Sequence, residues 1–295
     1  MKLLILGGQG MLGHKAFQLL SMHLETYAAF AQTNGPWTRF PMYQDLTRTV
    51  TGVDARQFDS VVEAFAHVRP HVVINCVGII KQLETAKDPI ASLEVNALFP
   101  HRLARLCQAT RTRLIHISTD CVFSGQKGNY TEEDVPDPVD LYGRTKLLGE
   151  VNQPGCLTLR TSIIGRDFVK KVGLLEWFLS KRGQTINGFT HAIYSGLTTQ
   201  ALSIILYELI IHHPDLAGLY QVASQPISKY ELLLKIRDAL QLDIEVNPSS
   251  DFFCDRSLDA TLFTQTTSIP IPSWDEMIDT LVADPTPYDT WSKME

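Results

Sequence analysis

Short apolar runs alternate with longer amphipathic stretches through the first half of the chain. The apolar runs include KLLIL, HVVIN and RLIHI, and glycine or small polar residues follow close behind them. Between them lie stretches such as FDSVVEAFAHVR, in which apolar residues recur at the spacing of a helix. Near-continuous apolar strands need cover on both sheet faces, so this alternation predicts parallel strands joined by crossover helices. The pattern therefore predicts an α/β fold with a doubly wound parallel sheet.

The alternation of apolar strands with long helices ends at about residue 166, and shorter helices and strands follow. The tail from residue 246 is richer in Pro, Ser and Thr, and we expect it to be looser than the rest. We predict a main domain made of residues 1–165 and 195–222. A smaller C-terminal lobe, made of residues 166–194 and 223–295, would close a cleft over the carboxyl ends of the strands, where ligands of open α/β sheets bind.

Composition narrows the class of protein. The chain has 295 residues, 44% of them hydrophobic and 20% charged, as is typical of a soluble globular protein. A net charge of −6 argues against nucleic acid or an anionic membrane surface as the partner. The apolar stretch ALSIILYELII carries Glu208 and is too short to span a bilayer. The five cysteines form no CxxC pair, which predicts reduced thiols in a cytoplasmic protein without a metal site. A homodimer is left open.

A glycine motif follows the first predicted strand. In GGQGMLG, residues Gly7, Gly10 and Gly13 stand directly after a strand and directly before a helical pattern. Glycines there permit a tight turn and close approach of a pyrophosphate, and the helix N-terminus favours the phosphate charge. The main domain is therefore predicted to be a dinucleotide-binding Rossmann domain, and the C-terminal lobe a substrate-binding lobe.

The end of the second strand indicates which dinucleotide binds. An NAD site usually has an acidic residue there to bind the ribose hydroxyls, but this strand ends AAFAQTN, with Thr33 and Asn34 and no acid. We therefore favour NADP(H), with NAD(H) as the alternative. The cations that could meet the additional phosphate, each equally explained as a surface residue, are Arg39, His14 and Lys15.

Two further stretches suggest contacts to the cofactor. Asp54, after TVTGV, either bonds an adenine amino group or caps the following helix. The strand HVVINCVG ends with Asn75, Cys76 and Val77, among small residues that would let a cofactor lie against the strand end. Asn96 lies within a predicted helix, where its amide either orders groups near the site or is a satisfied core residue.

A tyrosine and a lysine four residues apart supply the candidate chemistry. In LYGRTKLLGE, Tyr142 and Lys146 share one face of a helix, and Thr119 lies at the end of the preceding strand in LIHISTDCVFSG. The pair alone is common, but beside a dinucleotide site it fits hydride transfer to a carbonyl. The resulting alkoxide needs a proton, which Tyr142 could donate if Lys146 lowers its pKa from roughly 10. The Thr119 hydroxyl would orient the carbonyl.

In these motifs the chain resembles the extended short-chain dehydrogenases/reductases, and among them the dTDP-4-dehydrorhamnose reductase group. The matching segments run in family order over nearly the whole chain: GGQGMLG, NCVG, EVNA, STDCVFSG, YGRTK, LRTSIIG and DRSLD. The resemblance implies a catalytic triad of Thr119, Tyr142 and Lys146. It also implies that Arg160, Thr161 and Ser162 lie near the nicotinamide.

The predicted cofactor-binding residues can now be given together: Gly7, Gly10, Met11, Leu12, Gly13, Thr33, Asn34, Asp54, Asn75, Cys76, Val77, Tyr142 and Lys146. The predicted substrate-binding residues are Lys81, Asp120, Cys121 and Arg256. The related 4,6-dehydratases have Asp-Glu where this chain has Asp120-Cys121, so dehydration is not expected. The segment with Lys81 and Gln82 also departs from the reductase group, which suggests a different sugar or nucleotide.

The leading hypothesis is an NADPH-dependent reductase of a nucleotide-linked 4-keto-6-deoxy sugar, acting in surface polysaccharide biosynthesis. A sugar-nucleotide epimerase is the alternative among enzymes, and it would retain and recycle its cofactor. A non-catalytic NADP-binding regulatory subunit, such as that of methionine adenosyltransferase, is an alternative from another class, because a fold does not fix a function.

Overall fold

The computed structural model describes residues 1–82, 84–167, 169 and 171–291 of the chain. The strands among them are β1 (Lys2–Leu6), β2 (Glu25–Phe30), β3 (Thr49–Thr51), β4 (Val72–Asn75), β5 (Arg113–Ile117), β6 (Cys156–Arg160), β7 (Ile163–Ile164), β8 (Gln184–Tyr194), β9 (Leu197–Thr198), β10 (Gly218–Gln221), β11 (Ile227–Ser228) and β12 (Ile244–Asp255).

The α-helices among the same residues are α1 (Met11–Leu20), α2 (Phe58–Val68), α3 (Pro89–Ser92), α4 (Phe99–Thr110), α5 (Leu141–Leu148), α6 (Leu174–Leu179), α7 (Thr199–His212), α8 (Lys229–Ala239), α9 (Thr261–Thr267), α10 (Trp274–Val282) and α11 (Tyr288–Trp291). A π-helical segment, Leu93–Leu98, connects α3 to α4. Helix α7 is the most apolar of the long helices, yet no helix in the described part of the chain has the length and apolar character needed to cross a membrane.

Seven strands form a parallel sheet in the order β10-β6-β5-β4-β1-β2-β3. The chain runs outward from β1 to β3 and then returns to start the other half at β4. The strand order therefore reverses between β1 and β4, and the crevice at their carboxyl ends is where a dinucleotide binds in such folds. The predicted doubly wound fold is confirmed.

Apolar cores cover both faces of this sheet, as the sequence pattern requires. On one face, α1 and α7 pack with Leu3 and Ile5 of β1 in one buried cluster. On the other face, α2 and α4 pack with Leu4 and Leu6 of the same strand. Alternate residues of β1 thus face opposite cores, which explains why its sequence is apolar throughout.

A second, three-stranded sheet has the order β11-β8-β12, with β8 and β12 parallel. Its strands fall within residues 166–194 and 223–295, but the core does not divide there, since Trp274 and Phe263 belong to the same buried cluster as Leu3. The division into two lobes stays a prediction.

The expectation of a loose tail was wrong. Residues 244–255 form β12, an edge strand that tolerates Pro248, and α10 begins at a capping box formed by Ser273 and Glu276. Trp274 and Met277 of α10 are buried. Polar residues of the tail thus form helix caps, while apolar residues such as Trp274 and Met277 pack into the core.

Candidate active site

The turn between β1 and α1 is packed too tightly for any residue but glycine. Gly7 has a φ of +81°, and a Cβ there would lie 3.1 Å from the carbonyl carbon of Cys76 at the end of β4. A Cβ on Gly13 would overlap the carbonyl oxygen of Gly7. Gly10 precedes the first turn of α1 and donates its N–H to the Gly7 carbonyl oxygen at 3.0 Å. This turn leaves room for a pyrophosphate at the helix N-terminus and fits a dinucleotide.

The proposed phosphate-binding roles of His14 and Lys15 are wrong, because both side chains are buried on the far side of α1. His14 is 0% exposed, with ring nitrogens bonded to the Gly10 carbonyl and the Tyr288 hydroxyl, each at 2.9 Å. Burial lowers the pKa of His14 to about 3, so the ring is neutral. The Lys15 ammonium lies 2.7 Å from a carboxylate oxygen of Asp284.

At the end of β2, Thr33 and Asn34 are exposed. Asp54 is paired with Arg56, whose Nη2 lies 2.9 Å from Asp54 Oδ2. Its predicted capping role is not seen, since the residue preceding α2 at the N-cap is Gln57. These three side chains do not line the cavity described below.

The end of β4 presents its backbone, rather than its asparagine, to the crevice. Asn75 is 0% exposed, and its Oδ1 accepts the N–H of Val77 at 3.1 Å. The Asn75 side chain therefore shapes the loop, and the binding of a cofactor beside Asn75 stays a prediction. Asn96 has a similar role, because its amide bonds both the N–H (2.8 Å) and the carbonyl (2.9 Å) of Ile79.

A cavity of about 400 Å³ opens at these strand ends. The predicted site residues that line it are Gly10, Met11, Leu12, Cys76, Val77, Lys81, Thr119, Asp120, Cys121, Tyr142, Lys146 and Arg256, with Thr161 and Ser162 beside them. The predicted residues that do not line it are Gly7, Gly13, Thr33, Asn34, Asp54 and Asn75. The structure thus brings the glycine turn, the tyrosine–lysine pair and the predicted substrate residues to one place.

Helix α5 carries the tyrosine–lysine pair into this cavity. It begins at Asp140, whose Oδ1 accepts the Gly143 N–H at 2.7 Å. The Tyr142 side chain lies near Thr119, whose hydroxyl donates to Asp120 Oδ1 at 3.1 Å. The Thr119 hydroxyl oxygen also accepts the Cys121 N–H at 3.2 Å, which fixes the turn after β5. Two hydroxyl groups therefore converge where a substrate carbonyl could sit.

Lys146 is oriented differently from the sequence-based expectation. Its ammonium donates to the carbonyl oxygen of Ile117 at 2.6 Å. Burial lowers its pKa to about 8, although Glu150 and Cys76 oppose the shift. The pKa of Tyr142 is raised by burial and then by Cys121, and the nearby Thr119 side chain only partly offsets this. The expected lowering of the tyrosine pKa is not seen, and Tyr142 is a protonated phenol at neutral pH.

Arg160 does not lie in the cavity, contrary to expectation. Its guanidinium forms two hydrogen bonds of 2.8 Å to the Glu150 carboxylate and lies over the Phe123 ring, with 5.2 Å between the guanidinium carbon and the ring centroid. Ser118 donates to the same carboxylate at 2.7 Å. The buried pair joins the end of β6 to the residue after α5, so it supports the helix that carries Tyr142.

Sequence reasoning missed several residues of the cavity wall, among them Lys229, Phe252 and Cys254. They come from α8 and β12, far along the chain. One signal could have identified Lys229: it stands in the first turn of a helix, between the N-cap Ser228 and Glu231, where the helix dipole disfavours a cation.

The reversal of strand order, the glycine turn and the convergence of Thr119, Tyr142 and Lys146 define an extended short-chain dehydrogenase/reductase. Residues 1–285 match the family described as RmlD substrate binding domain. The chain belongs to this family. The predicted resemblance to the dTDP-4-dehydrorhamnose reductase group is confirmed, and so is the predicted class of NAD(P)-dependent oxidoreductase.

Curated relatives carry different functions. A probable low-salt glycan biosynthesis reductase, Agl14, of Haloferax volcanii is 29% identical over 75% of this chain and 74% of its own length. The dTDP-4-dehydrorhamnose reductase of Aggregatibacter actinomycetemcomitans is 27% identical over 80% and 78% of the two chains. Methionine adenosyltransferase 2 subunit beta of Rattus norvegicus is 31% identical over 55% of this chain and 47% of its own, so the match spans about half of that relative.

Solved structures share the fold at lower identity. The dTDP-4-dehydrorhamnose reductase of Bacillus anthracis, in complex with NADP, superposes with a TM-score of 0.78 at 22% identity, covering 96% of this chain and 99% of that one. The UDP-glucose 4-epimerase of Thermus thermophilus, in complex with NAD, gives a TM-score of 0.76 at 19% identity and covers 100% of both chains.

Proposed function

We propose that the protein is an NADPH-dependent reductase of a nucleotide-linked 4-keto-6-deoxy sugar. The observation that carries the proposal is that Thr119 and Tyr142 line the same cavity as Gly10 of the glycine turn. The cavity has Cys121 directly after Asp120, where a dehydratase needs a second acid. A reductase needs only one proton donor beside its cofactor, and Tyr142 supplies it.

The cavity residues fit a nicotinamide dinucleotide. The N–H groups at the start of α1, beside Gly10, Met11 and Leu12, would hold the pyrophosphate, and the backbone at Cys76 and Val77 would support the ribose. When bound, NADPH supplies the hydride for carbonyl reduction. Residues of this chain bind the substrate and supply the proton.

Tyr142 donates its hydroxyl proton to the carbonyl oxygen as negative charge develops there. Its raised pKa does not prevent this, because a sugar alkoxide is far more basic than a phenolate. The Thr119 hydroxyl, which donates to Asp120 Oδ1 at 3.1 Å, would turn to donate to the substrate carbonyl oxygen. Lys146, whose ammonium donates to the Ile117 carbonyl oxygen, would turn to the ribose hydroxyls while remaining a cation beside the reaction centre.

Preference for NADPH over NADH is supported by the end of β2, where Thr33 and Asn34 are exposed and no acidic residue follows the strand. The NADP complex of the Bacillus anthracis reductase supports it as well. A place in surface polysaccharide biosynthesis agrees with the glycan biosynthesis reductase of Haloferax volcanii. The cytoplasmic location and the homodimer stay predictions.

The proposal is tested by following NADPH absorbance at 340 nm with the purified protein. The substrates are 4-keto-6-deoxy sugars linked to dTDP, UDP, GDP and CDP, with NADH in parallel. Oxidation of NADPH by one substrate supports the reductase and identifies the nucleotide. Failure across all four, with NADPH bound, would contradict it.

Similarity to methionine adenosyltransferase 2 subunit beta favours one other candidate, an NADP-binding regulatory subunit. That candidate predicts tight NADPH binding, no turnover, and copurification with a partner enzyme. The epimerase alternative predicts NAD retained through purification and no consumption of added NADPH.

A further inference from the structure

The cavity contains more positive charge than the proposed reaction uses. Its charged lining residues are four cations, Lys81, Lys146, Lys229 and Arg256, and two carboxylates, Asp120 and Asp167. Hydride and proton transfer account for Lys146 alone. Lys81 is exposed, but Lys229 and Arg256 are partly buried and would be stabilised by a bound anion, because a partly buried charge is costly unless it is paired.

Lys229 is the least explained of these cations. It is partly buried, and no hydrogen bond or ion pair joins it to any residue in the described ranges of the chain. The charges closest to it include Lys81, which repels it, and Asp120 and Cys254, on the cavity wall. It also lies in the first turn of α8, where the helix dipole opposes a cation. Nothing in the folding of α8 requires a lysine here.

Strand β12 and the residue that follows it, Arg256, supply a row of side chains on the cavity wall. Phe252, Cys254 and Arg256 alternate with residues that point the other way, and all three line the cavity. Phe253, between them, does not line the cavity and is 64% exposed. Four residues of extended chain span about 13 Å, which is sufficient to follow a diphosphate and the groups on either side of it.

One end of this row lies beside the catalytic residues, and the other end lies near solvent. At the inner end, the Arg256 guanidinium donates to the Phe123 carbonyl oxygen at 2.9 Å and lies 3.8 Å from the Cys121 sulfur, beside the catalytic turn. At the outer end, Phe252 is 47% exposed and packs against Phe189 with 5.4 Å between ring centroids. An aromatic pair half open to solvent can accept a flat ring by stacking.

We propose that Lys229 and Phe252 bind the nucleoside diphosphate half of the substrate, with Lys229 on the diphosphate and Phe252 against the base. The inference rests on the proposed function, and it deepens that proposal by assigning two residues from outside the predicted motifs. With the sugar at Tyr142, the diphosphate passes Lys229 and the base reaches Phe252.

The test is calorimetric binding to the NADPH-saturated protein, with dTDP, UDP, GDP and CDP as probes and the matching free nucleoside alongside the tightest binder. Lys229→Gln should weaken diphosphate binding about tenfold to a hundredfold, as expected for the loss of a charge-assisted hydrogen bond, and leave nucleoside binding unchanged. Phe252→Ala should weaken diphosphate and nucleoside about equally, by about tenfold. Lys229→Arg should restore most of the diphosphate affinity.

Matched controls lie on the same elements. Lys235→Gln removes a cation from the exposed side of α8, and Phe253→Ala removes the aromatic neighbour that points away from the cavity. Both controls should bind like wild type, and all variants should bind NADPH equally, which checks folding. Wild-type affinity in Lys229→Gln and Phe252→Ala would overturn the inference while leaving the reductase intact. A wild-type protein that neither binds any of the nucleotides nor reduces their keto sugars would overturn the proposed function and the inference with it.

Discussion

At the scale of single residues, burial sets the protonation of the catalytic pair. Tyr142 is held as a phenol because burial raises its pKa, and Lys146 has a pKa of about 8 because burial disfavours its charge. The pair is therefore suited to giving a proton to a substrate near neutral pH. Taking a proton from an alcohol would need the phenolate, which this environment disfavours.

Removal of the tyrosine hydroxyl tests this assignment. Tyr142→Phe should lower kcat by on the order of 10² to 10⁴-fold while the affinity for NADPH, measured by fluorescence titration, stays nearly unchanged. Tyr27→Phe is the control, since the Tyr27 hydroxyl only donates to the exposed Glu25 at 2.7 Å. Near-normal turnover by Tyr142→Phe would mean that another group is the acid.

The pKa of Lys146 predicts a pH dependence. Below about pH 8 the ammonium is charged, and above it the amine is neutral, so kcat/KM for the keto sugar should fall as pH rises through about 8. In Lys146→Arg, whose cation does not deprotonate in this range, the alkaline fall should disappear from whatever activity remains. A wild-type profile that is flat to pH 10 would contradict the role of Lys146.

Sequence motifs could predict site residues that stand at a strand end or at a fixed spacing on a helix. Thr119, Tyr142 and Lys146 follow from a strand end and a helix spacing. His14 and Lys15 were misassigned because the groups that bury them, Tyr288 and Asp284, lie 274 and 269 residues later in the chain. Contacts across that distance depend on tertiary packing, which no local pattern encodes.

At the scale of secondary-structure elements, two glycines let α5 approach its neighbours. A Cβ on Gly143 would overlap the Cys121 carbonyl oxygen, and one on Gly149 would overlap the Asn96 carbonyl oxygen. The helix that carries Tyr142 therefore lies between the turn after β5 and the π-helical segment. Its position relative to Thr119 depends on both contacts.

Gly143→Ala should push the first turn of α5 away from the Thr119 turn. We expect lower kcat and a lower melting temperature, because backbone rather than a flexible side chain must move. Kinetics and thermal unfolding measure the two effects. Leu148→Ala, at a 59% exposed position of the same helix, should change neither. If Gly143→Ala behaves like Leu148→Ala, α5 is not held by this contact.

The sequence predicts elements well where one periodicity persists and poorly where it does not. The strands and helices of the main sheet follow from apolar runs and helical spacing. Strand β12 was missed because it is an edge strand with Pro248 and a register shift between Ser249 and Phe253. The π-helical segment Leu93–Leu98 has no sequence signature distinct from an α-helix.

At the scale of the whole molecule, the segment after α10 holds the first helix, α1, in position. Asp284 accepts hydrogen bonds from Lys15 of α1 at 2.7 Å and from Gln200 of α7 at 2.9 Å. The Lys15 and Asp284 side chains are only 2% and 7% exposed. The segment after α10 thus joins two helices on one face of the sheet, next to the glycine turn.

Breaking this pair should destabilise the entire fold. Asp284→Asn leaves the Lys15 ammonium buried without its counter-charge, and we expect the free energy of unfolding to fall by about 3 to 5 kcal/mol in denaturant titrations. The exposed pair Lys235–Asp275 gives the comparison, since Asp275→Asn should cost less than about 1 kcal/mol. If both variants lowered the free energy of unfolding equally, burial of the Lys15–Asp284 pair would contribute nothing to the stability of the fold.

The central claim is that external NADPH reduces the C4 carbonyl of a nucleotide-linked sugar. It is tested most directly by incubating the protein with the 4-keto-6-deoxy sugar nucleotide and NADPH that carries deuterium at both hydrogen positions of the nicotinamide C4, then locating the label by NMR. We predict one deuterium at C4 of the product sugar and none elsewhere. A product without deuterium, or with the label at another carbon, would contradict the account.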